Sequence, residues 1–134
     1  MAKLWNLPAL LVCENNYYGM GTSVQRSSAN TEFYTRGDKI PGILMDGLNV
    51  FAVREGMRAA KEWSLKNGPL FIEVSTYRYH GHSMSDPGIS YRSRDEINEY
   101  RQTKDCIERV KGMLLENGFS TEAELKKLEK EIKQ

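Results

Sequence analysis

The chain has 134 residues, enough for one domain with a hydrophobic core. Hydrophobic residues make up 40% and charged residues 28%, which is ordinary for a globular protein. A net charge of +1 argues against general attraction to nucleic acid or membrane surfaces, and the longest apolar run, residues 7–13, is too short to span a bilayer. The two cysteines, Cys13 and Cys106, are expected to be reduced rather than joined in a disulfide.

Two apolar runs predict buried strands of a parallel sheet. The first run covers residues 7–13 and the second covers residues 70–74. Between them, Asn49 can cap a helix that extends to about Asn67. A strand, a crossover helix and a second strand make a βαβ unit, for which parallel pairing is the default. The apolar face of the predicted helix consists of Val50, Val53, Met57, Ala60 and Ser64.

The segment between the first strand and this helix has no sustained periodicity. Residues 14–45 are therefore predicted to be mostly loop, with a short helix near residues 27–34. A loop of this length in a compact domain is usually functional.

Three helices are predicted after residue 92. Ser93 opens a capping-box pattern, a second helix covers about residues 105–116, and a third, rich in Lys and Glu, follows Ser120. The predicted fold class is α/β: half of a doubly wound parallel sheet, followed by a helical tail. The first strand resembles a central strand but has only one predicted neighbour, so we expect an incomplete fold with exposed apolar edges and marginal stability.

The most informative segment is the loop at residues 77–92, which follows the second strand. It holds two histidines, two arginines, three serines and three tyrosines. Polar loops at the carboxyl ends of strands are where α/β proteins place ligand chemistry, and these donors suit a phosphate-bearing partner. His80 and His82 could donate to phosphate or act as acid or base, or could only fix the loop by hydrogen bonds. A zinc pair is disfavoured, because the cysteines lie far from the loop.

The other polar side chains of this loop leave similar alternatives open. Arg78 and Arg92 could clamp phosphate or form structural contacts. Ser83, Ser85 and Ser90 lack the Gly-x-Ser-x-Gly pattern of a nucleophilic serine, so phosphorylation or turn formation suits them better.

Asparagines and glycines follow the first strand at residues 15–23. An Asn side-chain oxygen and a nearby backbone carbonyl are hard, neutral ligands that suit magnesium bound to a diphosphate. The alternative is an Asn-rich turn without a ligand.

These two segments carry a family resemblance. Residues 13–23 resemble the second half of the thiamine-diphosphate motif, which opens with Gly-Asp-Gly and closes with Asn-Asn. The loop His-Gly-His-Ser-Met-Ser-Asp-Pro-Gly at residues 80–88 resembles the phosphorylation loop of pyruvate dehydrogenase alpha subunits, from the decarboxylating component of that complex. The chain is identified as a member of this family over nearly its whole length. Shorter matches in the same order lie at residues 36–38, 41–42, 46–47 and 53–55.

The resemblance implies roles for individual residues. Asn16 would bind Mg²⁺ through its side chain and Tyr18 through its backbone carbonyl, and His82 would be the catalytic-site histidine that contacts the diphosphate of thiamine diphosphate. Ser83 and Ser90 would be phosphorylated by a dedicated kinase, with Ser23 as a third site.

The resemblance also implies a domain division, partners and a location. Residues 1–92 would be part of a thiamine-diphosphate-binding domain, and residues 93–134 a helical region. The partners would be a beta subunit in an alpha2-beta2 heterotetramer, the lipoyl-bearing acetyltransferase component, and a regulatory kinase and phosphatase, in the mitochondrial matrix. No transit segment is recognisable at the start.

One departure limits the expected activity. Gly-Asp-Gly, whose Asp would be another magnesium ligand, does not occur in the sequence. The isolated chain is therefore expected to be a fragment that does not decarboxylate pyruvate. Two alternatives remain open: a non-catalytic remnant that binds the beta subunit or the kinase, and an acetoin or branched-chain homologue, against which the loop sequence argues.

Overall fold

The structure is a computed structural model that describes residues 1–133, so the last residue of the predicted helical region, Gln134, lies outside the described residues. The chain divides into two compact units, Met1–Arg94 and a second that begins at Asp95. Among the described residues, no helix is both long and apolar enough to cross a membrane.

The first unit contains five strands and two helices, and the second contains three helices. The strands are β1 (Leu10–Asn15), β2 (Tyr18–Gly19), β3 (Thr22–Ser23), β4 (Gly42–Asp46) and β5 (Leu70–Ser75). The helices are α1 (Val24–Ser27), α2 (Val50–Asn67), α3 (Arg94–Thr103), α4 (Cys106–Glu116) and α5 (Glu122–Ile132), with a 3₁₀ turn at Phe33–Thr35.

A parallel sheet with the order β1-β5-β4 organises the first unit, and β2 and β3 form a separate antiparallel pair. The predicted α/β class and parallel pairing are therefore confirmed. Two strand predictions are wrong. The first strand begins at Leu10 rather than at residue 7, and β4 lies inside the segment predicted to be loop. β4 is short and starts at a glycine, so its backbone pairing with β5 is not visible as a local pattern.

The prediction that the first strand is buried on both faces is also wrong. Within the described residues β1 pairs only with β5, so it lies at an edge of the sheet. Its apolar side chains Leu11 and Val12 are 40% and 50% exposed. Leu44 on the opposite edge strand is 55% exposed. The expected exposed apolar edges are thus confirmed.

Helix α2 packs on one face of the sheet, and the hydrophobic core lies between them. The Asn49 side chain accepts hydrogen bonds from the backbone N–H groups of Phe51 and Ala52, which confirms the predicted cap. Val50 is 49% exposed, so it does not belong to the buried face as predicted. The core cluster consists of Met45, Ala60, Leu70 and Ile72, with Leu10, Val53, Met57 and Val74 packed against it.

The prediction of loop for residues 14–45 also misses the end of β1 at Asn15 and the short antiparallel pair β2–β3. The short helix expected near residues 27–34 is replaced by two smaller elements, α1 and the 3₁₀ turn, which lie on either side of residues 28–32. This turn contacts β4 and β5. It supplies a backbone donor, Tyr34 N, to the side chain of Glu73 in β5.

The three helices predicted after residue 92 are present, and α4 at Cys106–Glu116 agrees with the predicted 105–116. The Asp105 side chain accepts from the N–H groups of Ile107 and Glu108 at the start of α4. Thr121 and Glu124 form a reciprocal capping box at the start of α5.

We predict that replacing Ile72 by Ala lowers the free energy of unfolding by about 3 kcal/mol, because this fully buried side chain would leave a cavity between the sheet and α2. The matched control is Leu44→Ala, which truncates an exposed side chain on the neighbouring strand and should change it by less than about 0.5 kcal/mol. Urea unfolding followed by tryptophan fluorescence measures both. Equal losses for the two variants would contradict this packing.

Candidate functional site

Strands β1 and β5 end side by side, and the two polar segments predicted from the sequence start there. The parallel register pairs Asn15 with Ser75 at the carboxyl ends of the strands. The backbone N–H of Thr76 then donates to the carbonyl of Asn15 at 2.9 Å. The turn after β1 and the loop after β5 therefore leave the sheet at the same edge, where open α/β sheets bind ligands.

The turn after β1 is held in shape by two asparagine side chains. Asn15 Oδ1 accepts from Tyr17 N at 2.8 Å, and Asn16 Oδ1 accepts from Tyr18 N at 3.1 Å. Tyr17 has a φ of 66°, a left-handed conformation that non-glycine residues rarely adopt. The paired Asx bonds compensate for this strain and fix the direction in which the chain enters β2.

A buried carboxylate supports this turn from within the sheet. Glu73 is only 2% exposed, and its oxygens accept from Asn15 Nδ2 at 2.6 Å and from Tyr34 N at 2.9 Å. The sequence reasoning missed Glu73 as a site residue. The available signal was a single acidic residue in a strand predicted to be buried, since buried carboxylates need specific partners.

The loop after β5 is closed around one carboxylate, Asp86. Its oxygens accept from His82 N, Gly88 N and the Tyr91 hydroxyl, each at 2.8 Å. These hydrogen bonds, the backbone donor of His82 first, lower the pKa of Asp86 to about 2. A side chain at Gly81 would collide with the carbonyl of Asp86, so the loop requires glycine there.

Arg78 and Tyr91 join the loop to the turn. The Arg78 guanidinium donates to the carbonyl of Met20 at 2.6 Å and to the Tyr91 hydroxyl at 2.9 Å. The Tyr91 ring lies 5.5 Å from the Tyr18 ring and so close to Gly21 that a Cβ there would come within 3.0 Å of it. The two segments predicted to form one site are therefore in direct contact.

The Arg92 side chain is buried inside the loop. It is 4% exposed and donates to the carbonyls of Arg78 and His80. Its guanidinium also lies between 5.1 and 5.7 Å from the ring centroids of Tyr18, Tyr77 and Tyr91. Of the two alternatives for the arginines, these contacts favour the structural one over a phosphate clamp.

The remaining predicted site residues lie on the surface of the same unit. His82, Ser83 and Ser90 are exposed, and Ser23 is half-buried at the end of β3. The hydroxyl of Ser83 lies 3.1 Å from that of Ser85, and its carbonyl accepts from Asp86 N. Ser23 thus lies in the segment after β1, and Ser83 and Ser90 lie in the loop after β5.

The oxygen atoms at the turn after β1 suit a magnesium ion that is also bound by a diphosphate. Residues 1–133 contain no group of three His, Cys, Asp or Glu side chains that could hold a metal. Asn16 Oδ1 and the Tyr18 carbonyl are neutral, hard oxygens, which suit Mg²⁺ when a diphosphate supplies negative charge. They would supply two ligands of an octahedral set.

We predict that the Asp86 carboxyl titrates near pH 2 rather than near its ordinary value of 3.8. Because the lowered pKa belongs to the closed loop, closure is stabilised above pH 3.8 and this stabilisation is lost as the pH falls through about 2. Tyr91→Phe removes one donor and should raise the midpoint measured by carboxyl ¹³C NMR. Tyr34→Phe is the control. The Tyr34 hydroxyl donates to Glu32 and not to Asp86, so this variant should leave the Asp86 midpoint unchanged. An Asp86 midpoint near pH 4 in the unmodified protein would contradict the closed loop.

The chain is similar to known proteins over its whole length. The family model described as "Dehydrogenase E1 component" matches residues 1–134. The pyruvate dehydrogenase E1 component subunit alpha, mitochondrial, of Solanum tuberosum is 56% identical over 131 residues, which cover 98% of this chain and 34% of the relative. The type II alpha subunit of Ascaris suum is 59% identical and the probable alpha subunit of Caenorhabditis elegans 57%, each over 134 residues, 99% of this chain and 34% of the relative.

The chain thus spans about a third of the length of these curated relatives. The resemblance stated from the sequence motifs is confirmed, both by the family match and by the names of the relatives. The chain belongs to the dehydrogenase E1 component family.

Proposed function

We propose that this chain is part of a pyruvate dehydrogenase alpha subunit, which with a beta subunit decarboxylates pyruvate on thiamine diphosphate and reductively acetylates a lipoyl group. The observation that carries the proposal is the contact between the loop and the segment that follows Asn16. Arg78 donates to the Met20 carbonyl, and the Tyr91 ring lies 5.5 Å from the Tyr18 ring. The relatives are named as mitochondrial alpha subunits, which supports the same role and a mitochondrial location. Within the mitochondrion we propose the matrix.

The residues of this chain bind and position rather than react. Asn16 Oδ1 and the Tyr18 carbonyl would hold the Mg²⁺ of the bound cofactor, and His82 would contact its diphosphate. When bound, thiamine diphosphate supplies the electron sink that decarboxylation requires. The loop at residues 77–92 would lie beside the bound diphosphate, because Arg78 and Tyr91 contact Met20 and Tyr18 in the segment that carries the proposed metal ligands.

Phosphorylation of the loop would regulate this activity. A phosphoserine carries about −1.5 to −2 charges, which repel both a diphosphate and a neighbouring carboxylate. Ser83 is exposed, and its carbonyl accepts from the backbone of Asp86, whose carboxylate closes the loop. Phosphate on Ser83 therefore acts against the closed loop, and Ser90 and Ser23 offer two further positions for a kinase and a phosphatase.

A second candidate function is a non-catalytic remnant that binds the beta subunit or the regulatory kinase. Two observations favour it. The given sequence lacks Gly-Asp-Gly, so the set of magnesium ligands is incomplete. The exposed edge strands β1 and β4 could pair with a strand of another protein. The coding sequence upstream of Met1 separates the two: Gly-Asp-Gly about thirty residues before Asn16 supports the catalytic subunit.

We predict that the purified 134-residue chain does not release CO₂ from pyruvate with thiamine diphosphate and Mg²⁺, whereas the complete alpha subunit does so with its beta subunit. In that assembly Asn16→Ala should raise the Mg²⁺ concentration needed for half-maximal activity by about ten-fold or more, because a metal ligand is lost. Asn98→Ala removes the same side chain from an exposed position in α3 and should have no effect. Turnover by the isolated chain, or full activity of Asn16→Ala, would contradict the proposal.

We predict that Ser83→Glu weakens thiamine diphosphate binding to the complete assembly by about ten-fold, because the added charge lies beside an anion site. Ser83→Ala should bind the cofactor normally, since the hydroxyl is not required. Thr31→Glu places the same charge at another exposed position of the first unit and serves as the control. Isothermal titration calorimetry measures all three, and equal affinity for Ser83→Glu and Thr31→Glu would refute the regulatory role.

A further inference from the structure

We propose that Glu73 is a positioning residue for the metal-binding turn and acts through Asn15. The inference rests on the proposed function, because it concerns the same pair of magnesium ligands. Its basis is an uncommon feature of the sheet, a carboxylate that is 2% exposed and whose hydrogen-bond partners within residues 1–133 are both neutral. Burying such a group costs stability, and an apolar side chain would suit a central strand better.

The carboxylate determines which way the Asn15 amide faces. An Asn side chain can present either its oxygen or its nitrogen to a neighbour, but a carboxylate only accepts hydrogen bonds. Glu73 therefore holds Asn15 Nδ2 at 2.6 Å and leaves Oδ1 to accept from Tyr17 N at 2.8 Å. Asn15 is itself 4% exposed, so no solvent competes for these bonds.

The Asn15–Tyr17 bond in turn shapes the segment that carries the ligands. It spans Asn16 and stabilises Tyr17 at a φ of 66°. Without it, Tyr17 would relax toward an ordinary conformation, and both the Asn16 side chain and the Tyr18 carbonyl would change direction. The second oxygen of Glu73, bound to Tyr34 N, prevents the carboxylate from following Asn15 if the turn moves.

The test exchanges the amide and the carboxylate. In Glu73→Gln, the new amide N–H group faces either Asn15 Nδ2 or Tyr34 N, so one of the two hydrogen bonds to this side chain is lost. In Asn15→Asp, two carboxylates face each other and repel. The double variant Asn15→Asp with Glu73→Gln restores every bond. The amide introduced at position 73 can donate to the carboxylate introduced at position 15 and accept from Tyr34 N, while that carboxylate accepts from Tyr17 N. The complete alpha subunit with its beta subunit and thiamine diphosphate is titrated with Mn²⁺, and bound ion is measured by electron paramagnetic resonance without turnover.

Each single variant should weaken Mn²⁺ binding by about ten-fold or more. The double variant should return to within about three-fold of the unmodified protein. Ser64→Ala is the control, since it removes another buried hydrogen bond, to the carbonyl of Gly68, and should lower the unfolding temperature without changing Mn²⁺ affinity.

Unchanged Mn²⁺ affinity in Glu73→Gln, or a double variant no tighter than the singles, overturns the positioning role while the proposed function stands. Loss of affinity in Asn16→Ala identifies the turn as the metal site and is expected in either case. If the unmodified assembly binds no Mn²⁺ with thiamine diphosphate, the proposed function fails, and the role of Glu73 fails with it.

Discussion

The parallel pairing of β1 with β5 is the constraint on which the rest of the site depends. The register runs from Leu10 opposite Leu70 to Asn15 opposite Ser75, so both strands end at the same level. Parallel strands present their carboxyl ends to the same edge, and the chain continues from that edge twice, as the turn after β1 and as the loop after β5. A shift of one residue in this register would move Glu73 away from Asn15 and exchange the two faces of β1.

Strand β5 serves two purposes because neighbouring side chains of a strand point to opposite faces. Ile72 packs under α2 in the core, and Glu73 faces the other side, where the 3₁₀ turn donates to it. The core thus holds in place the strand that carries the polar network. Polar contacts also hold the loop together. Arg92 is buried among carbonyls and tyrosine rings, and the half-buried Asp86 accepts three hydrogen bonds.

Features set by residues close together in the sequence could be predicted, and features set by residues far apart could not. The cap of α2 was predicted correctly, because Asn49 acts on residues two and three positions away. The approximate starts of α4 and α5 were also predicted, although their caps, Asp105 and Thr121, were not named from the sequence. β4 was missed because its pairing partner lies across α2. Burial was misjudged at Leu11 and Val12, since an apolar run reports what a strand could bury and not whether a neighbour covers it.

The site also contains some residues that local motifs reveal and others whose contacts depend on distant parts of the sequence. Asn16, Tyr18 and His82 were singled out because local motifs carry them, and family resemblance gave them roles that no spacing could supply. The pairings of Glu73 with Asn15 and of Arg78 with Met20 each join residues 58 positions apart, so no local pattern indicates them. The choice between a clamping and a structural Arg92 also needed its surroundings, because the same side chain is compatible with both until its donors are located.

The most direct test of the account is the position of the metal in a crystal of the complete alpha and beta subunits grown with thiamine diphosphate and Mn²⁺. The anomalous signal of Mn²⁺ locates the ion independently of the protein density. We predict a peak within coordination distance, about 2 Å, of both Asn16 Oδ1 and the Tyr18 carbonyl oxygen. A bound cofactor whose Mn²⁺ peak lies away from both of these oxygens would contradict the account.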